Sequence, residues 1–141
     1  MSILIVEDDP NDLMLTGRLL YALGFDVISS GTANQARQFL IMQVAEYGER
    51  PYDLVLIDLR LIGSEINGAE IARICQEIAP KMPVVMFTGW ESMRAFEELT
   101  HLRYVSVAFK PLTEETFIRI LDRHKIQWKH RKQNEKPPVT D

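Results

Sequence analysis

An acidic run at Glu7-Asp8-Asp9, a lone Asp58, Thr88 and Lys110-Pro111 each follow a short apolar run. Those runs are Ile3-Leu4-Ile5-Val6, Leu54-Val55-Leu56-Ile57, Val84-Val85-Met86-Phe87 and Val105-Ser106-Val107-Ala108-Phe109. If they are parallel strands of one sheet, the polar residues share its carboxyl edge, where open α/β sheets bind ligands. Three carboxylates gathered there cannot all stay ionised without compensation. A hard divalent cation that keeps part of its water, Mg²⁺, meets that need. Asp8 and Asp58 are the expected direct ligands, the backbone carbonyl of Arg60 a third, and Glu7 is expected to act through a water. An aspartate beside Mg²⁺ is a nucleophile toward phosphorus, giving an aspartyl phosphate. That transfer needs positioning and charge neutralisation more than acid–base machinery. Lys110 supplies a point charge for the phosphoryl oxygens. The Thr88 hydroxyl can donate to one of them, and Gly89 leaves room.

Each residue has a plainer reading by itself. Glu7-Asp8-Asp9 could simply start a helix, since aspartate is a strong N-cap. Asp58 alone says little, and Lys110-Pro111 alone fits any loop. Their joint placement at four strand ends is what favours a phosphoryl site. His101, His124 and His130 have no ligand spacing and read as surface residues. Cys75 reads as a small buried apolar residue on a helix, because free cysteine packs that way.

The elements that must hold these groups alternate strand and helix five times. Asp9-Pro10 opens a helix, with Asp9 at the N-cap and proline at the first helical position. Leu13, Leu19, Leu20 and Leu23 are its buried side and Gly24 its stop. Phe25 to Ile28 is a short second strand. Thr32 precedes a helix carrying Ala33, Ala36, Phe39, Leu40 and Val44 at helical spacing. Tyr52 to Ile57 is the near-continuous apolar run of a central parallel strand. A third helix begins near Asn67-Gly68 and turns Ile71, Ile74, Cys75 and Ile78 inward. After the strand at Pro83–Phe87, a weaker helix is expected over Ser92–His101, and a fifth strand over Tyr104–Phe109. Thr113 caps a last helix with Phe117, Ile120 and Leu121 in the core and Trp128 a turn or two further along. Short connections between alternating units imply right-handed crossovers and a parallel sheet covered on both sides.

Composition bounds the rest. With 46% hydrophobic and 26% charged residues in 141, the chain reads as one globular domain. No apolar stretch approaches the roughly 20 residues that span a bilayer, so no membrane role is expected. The start MSILIVEDDP lacks the basic opening of a signal peptide, and a single cysteine suits a reducing cytoplasm. Residues 125–141 hold five basic and two acidic residues, a net +3, leaving −7 on the rest of a −4 chain. A body this acidic is not expected to bind nucleic acid. The segment 125–141 reads as the end of the last helix followed by a basic, frayed tail.

The motifs ILIVEDDP, YDLVLIDLRL, VVMFTG and AFKPL, in this order and approximate spacing, resemble the receiver domain of two-component response regulators over about Ile3 to His124. The resemblance implies a doubly wound (βα)₅ three-layer sandwich, flavodoxin-like, with strand order 2-1-3-4-5. It places the receiver domain over residues 1–124. It makes Asp58 the phosphoacceptor, Glu7 and Asp8 the acidic pair at the metal, Thr88 the switch hydroxyl and Lys110 the family's lysine. The implied partners are a sensor histidine kinase or histidine phosphotransfer protein, and a downstream protein target reached through the face spanning 92–125. Such a domain is a signalling module, with self-phosphorylation and self-dephosphorylation as its only chemistry.

Three features depart from the family pattern. Val107 stands three residues before Lys110, where a Tyr or Phe is usual, so the resemblance does not extend to the aromatic part of the relay from Thr88. The loop Leu61 to Gly68 is longer than the common form and lacks its proline. Arg60 and Trp90, two residues past Asp58 and Thr88, are bulky and are expected to shield an acyl phosphate from water. Two other function classes fit less well. A haloacid-dehalogenase-type phosphatase would carry a second aspartate where Arg60 stands. A flavodoxin-like nucleotide binder would need a phosphate loop where Glu7-Asp8-Asp9-Pro10 would repel phosphate. A non-switching receiver that binds its partner without phosphorylation is the stronger alternative.

Overall fold

The apolar runs are strands, and the two-residue period of a strand sorts them into two core layers. The computed structural model describes residues 2–48, 50–58, 68–88, 105–109 and 112–132. The strands are β1 (Ser2–Val6), β2 (Asp26–Ser30), β3 (Leu54–Asp58), β4 (Val84–Thr88) and β5 (Val105–Phe109). They form one parallel sheet in the order β2-β1-β3-β4-β5, the doubly wound order implied by the receiver resemblance. The described helices are α1 (Pro10–Ala22), α2 (Ala33–Tyr47), α3 (Gly68–Ile78) and α4 (Glu114–Arg123). The helix expected over Ser92–His101 lies outside the described residues.

One face of the sheet, with Leu4, Val6, Val55, Ile57 and Met86, packs on Ala36 and Leu40 of α2 and on Ile71 and Cys75 of α3. The other, with Ile3, Ile5, Leu54, Leu56 and Phe87, packs on Leu20 of α1 and on Phe117 and Leu121 of α4. Each fully buried aliphatic or aromatic side chain contributes about 1.5–3 kcal/mol, so both layers are substantial. Burial pushes the Cys75 thiol up to about 12, which keeps it a protonated packing residue. β2 is an edge strand with only Ser30 buried, which accounts for its polar sequence DVISS. Phe25, expected inside that strand, precedes it and is fully buried.

Local chemistry fixes the helix ends. The Asp9 carboxylate accepts from the N–H groups of Asn11 (2.8 Å) and Asp12 (3.2 Å) ahead of Pro10. Thr32 caps α2 through the Gln35 N–H (3.1 Å), and Thr113 caps α4 through the Thr116 N–H (3.3 Å). Each such cap stabilises by about 1 kcal/mol. α1 stops in a Schellman motif: the Phe25 N–H donates to the Leu20 carbonyl (3.2 Å) and the Gly24 N–H to that of Tyr21 (3.0 Å), with Gly24 at φ +97°.

The end of α4 differs from the sequence expectation. The helix stops at Arg123, so Trp128 lies beyond it, and Lys125 to Lys132 form a strap laid against α1. Ile126 enters the core at 5% exposure. The Lys129 N–H donates to the Leu23 carbonyl (3.1 Å) and the Arg131 N–H to that of Ala22 (2.8 Å). The Arg131 guanidinium donates to the Tyr21 carbonyl (2.7 Å) and lies 4.0 Å from the centre of the Tyr21 ring. On α4, Trp128 donates to Asp122 (2.9 Å) and His130 meets Glu114. The last carbonyls of a helix lack intrahelical partners, and α1 has no basic residue in its last turn. The strap supplies those donors, so the segment expected to fray is ordered through Lys132. Lys136-Pro137-Pro138 lie outside the described residues.

Candidate functional site at the carboxyl edge

Parallel registry brings the strand ends level. Val6 pairs with Ile57, Asp58 with Phe87, and Thr88 with Phe109. Asp58 and Thr88 are therefore the last residues of β3 and β4, not the first residues after them. Glu7, Asp8 and Asp58 converge there, each offering a carboxylate oxygen within 4.8 Å of the other two. Glu7 and Asp58 are buried and Asp8 is half-buried.

Backbone geometry aims the acidic pair. The Glu7 N–H donates to the Ser30 carbonyl (3.0 Å), carrying the β1–β2 ladder one residue past the strand. The Glu7 carboxylate accepts from the Asp9 N–H (3.0 Å), while Asp9 itself caps α1. One short turn thus orients Glu7 and starts the helix behind it. The Ser30 hydroxyl, buried at the end of β2, donates to the Thr32 carbonyl (2.7 Å) and braces the adjoining turn. Ser30 was not among the residues expected at the site. Its signal in the sequence, a serine closing a strand before Gly31-Thr32, is common to many turns.

Two unit charges about 4 Å apart repel by roughly 4 kcal/mol at an effective dielectric near 20. Three carboxylates with oxygens within 4.8 Å of one another, two of them buried, suit a bound cation. The donors are all hard oxygen, and the half-buried Asp8 leaves one side open to water, so the set fits Mg²⁺. Cys75, the single thiol, is packed away on α3. Of the other expected site residues, Thr88 is placed by its backbone at the end of β4. Lys110 and the Arg60 carbonyl, with Gly89, Trp90 and the loop from Leu61, lie outside the described residues.

Fold and acidic cluster together define a known class. The family described as "Response regulator receiver domain" matches residues 3–122. The chain belongs to that family, the receiver domains of two-component systems, which is a signalling family and not a family of metabolic catalysts. It is 27% identical over 120 residues to the transcriptional regulatory protein GlrR of Escherichia coli K12, covering 85% of this chain and 25% of that protein. The chain thus spans about a quarter of the length of that curated relative. Its fold matches a response regulator receiver domain protein from Clostridium thermocellum with a TM-score of 0.74 at 19% identity, covering 87% of this chain and 92% of the other. It also matches the receiver domain of a sensor histidine kinase from Pseudomonas aeruginosa PAO1, solved with a magnesium ion coordinated in its active-site cleft. There the TM-score is 0.72 at 25% identity, with 86% and 94% coverage. No described helix is long and apolar enough to cross a membrane.

Proposed function

We propose that this chain is a phosphoacceptor receiver in a two-component phosphorelay, with Asp58 taking the phosphoryl group. The observation that carries the reading is the meeting of Glu7, Asp8 and Asp58 at the ends of β1 and β3. Glu7, Asp8, Asp58 and the Arg60 carbonyl would hold Mg²⁺, which supplies charge neutralisation for the transferring phosphoryl group. A carboxylate oxygen of Asp58 bonds to phosphorus as the P–N bond of a phosphohistidine breaks, and the imidazole leaves with the electron pair. Lys110 and the Thr88 hydroxyl take the phosphoryl oxygens. Asp58 closes β3 in register with the buried Phe87 of β4.

The donor would be a sensor histidine kinase or a histidine phosphotransfer protein in the cytoplasm. Output would pass to a protein target through the face spanning 92–125, without membrane or direct nucleic-acid contact by this domain. The receiver unit would occupy residues 1–124. The test is Mg²⁺-dependent binding of beryllofluoride, an acyl-phosphate mimic, followed by amide NMR in wild type and Asp58→Asn. Saturable shifts in wild type alone, spreading from Asp58 into 92–125, are expected. Val107 in place of the usual aromatic residue favours a second reading, a receiver-like adaptor that binds its partner without phosphorylation. Absence of any beryllofluoride binding would select that reading.

A further inference from the structure

α1 and α4 end in the same hydrogen-bond pattern on different residues. At α4 the Ile126 N–H donates to the Leu121 carbonyl (2.8 Å) and the Lys125 N–H to that of Asp122 (3.1 Å), the Schellman arrangement of α1. In α1 the left-handed position belongs to Gly24 (φ +97°), whereas in α4 it belongs to Lys125 (φ +58°). Lys125 is the single non-glycine residue with positive φ among the described residues. An L side chain is disfavoured there.

Nothing local demands a stop at that point. From Thr113 to Lys132 there is no glycine or proline, and the lysines, glutamine and arginine past His124 are good helix formers. Phe117, Leu121, His124 and Trp128 continue one stripe at helical spacing. The stop is imposed from outside the helix, by Ile126 in the core and by Lys129 and Arg131 on the end of α1. The fit is close: a Cβ on Gly24 would stand 2.7 Å from the Lys129 carbonyl oxygen.

We infer that His124 to Lys132 is a two-state element: a strap docked on α1, or, once undocked, a continuation of α4. Undocking exposes the Tyr21 ring and the last carbonyls of α1, and lengthens α4 by about 13 Å at 1.5 Å per residue. A partner that bound either the freed end of α1 or the lengthened helix would shift the balance toward the second state.

The test is backbone chemical shifts and amide exchange across 124–132 in the full chain, for wild type, Arg131→Ala and Lys125→Gly. Wild type is expected to show non-helical shifts with protected Lys129 and Arg131 amides. Arg131→Ala is expected to lose that protection at residue 129 and to acquire helical Cα shifts from 124 onward. Lys125→Gly, which relieves the left-handed position and penalises the helix, is expected to slow exchange of those amides at least about fivefold. A coil-like segment in Arg131→Ala, or one still docked there, overturns the inference. Unchanged or faster exchange in Lys125→Gly overturns it independently.

Discussion

The two ends of the sheet are built on opposite terms. At the amino end, polar groups close on one another: Asp53 accepts from the Ser2 N–H (2.8 Å), Ser106 meets His124 (3.1 Å), and the strap caps the last carbonyls of α1. At the carboxyl end, parallel registry drives Glu7, Asp8 and Asp58 together, two of them buried. The first arrangement closes polar groups within the fold, and the second gathers like charges in a set that suits a cation. Such grouping of like charge is usual at sites kept for function. The trio stands at the ends of β1 and β3, beside the capped start of α1.

The contrast can be broken most sharply at Asp58. Asp58→Asn should abolish acceptance of a phosphoryl group from a small acyl-phosphate donor, read by intact mass. It should also raise stability by about 1–2 kcal/mol in urea unfolding, because a like-charge repulsion is relieved. At the amino end the same kind of truncation should only destabilise. Ile126→Ala removes a buried side chain beneath the strap and should cost about 2–4 kcal/mol by the same assay. Mg²⁺ should sharpen the difference by stabilising wild type about 2.7 kcal/mol at a hundred times its Kd. Asp58→Asn should lose most of that gain, and Ile126→Ala should keep it.

A smaller effect concerns His124. Burial, then Arg123 and Arg50, hold its imidazole below the ordinary 6.5. The neutral ring is therefore favoured in the fold. Its contribution is complete above about pH 6.5 and is lost as pH falls through the lowered folded value. His124→Gln should flatten the acid limb of a stability–pH curve measured between pH 7 and pH 5, while Asp58→Asn should leave that limb's His124 component in place. At the other end, Arg60→Ala or Trp90→Ala should speed loss of the acyl phosphate if those side chains shield it. An unchanged decay rate would remove them from that role.

Much of this was legible in the residues. Strands β1, β3 and β4 were evident because each is buried on both faces and therefore continuously apolar. Asp9-Pro10 and Thr113 announced two helix starts through side-chain caps that act within a single turn, and Thr32, read only as preceding a helix, caps a third. The acidic cluster was legible because parallel strands place their ends level, so position after an apolar run translates into position in space. The end of α4 was not legible, since its stop lies in contacts from Ile126, Lys129 and Arg131 to groups far away in the sequence. A lysine in the left-handed position of a Schellman motif gives none of the warning that Gly24 gives for α1. Ser30 escaped for a related reason: its importance comes from a carbonyl that meets the Glu7 N–H across the ladder, not from its own side-chain type.

The bond from Arg131 to the Tyr21 carbonyl joins residues 110 positions apart. A ribosome adding roughly 5–20 residues per second takes about 6–22 s to make that interval. The opening strand emerges with its first helix but must wait, since β1 pairs with β2 and β3 and its helix is finished by the strap. All three acidic residues are therefore synthesised before the strap that seals the opposite end of the molecule. Birth order makes the acidic cluster an early part of this domain and the strap a late stitch.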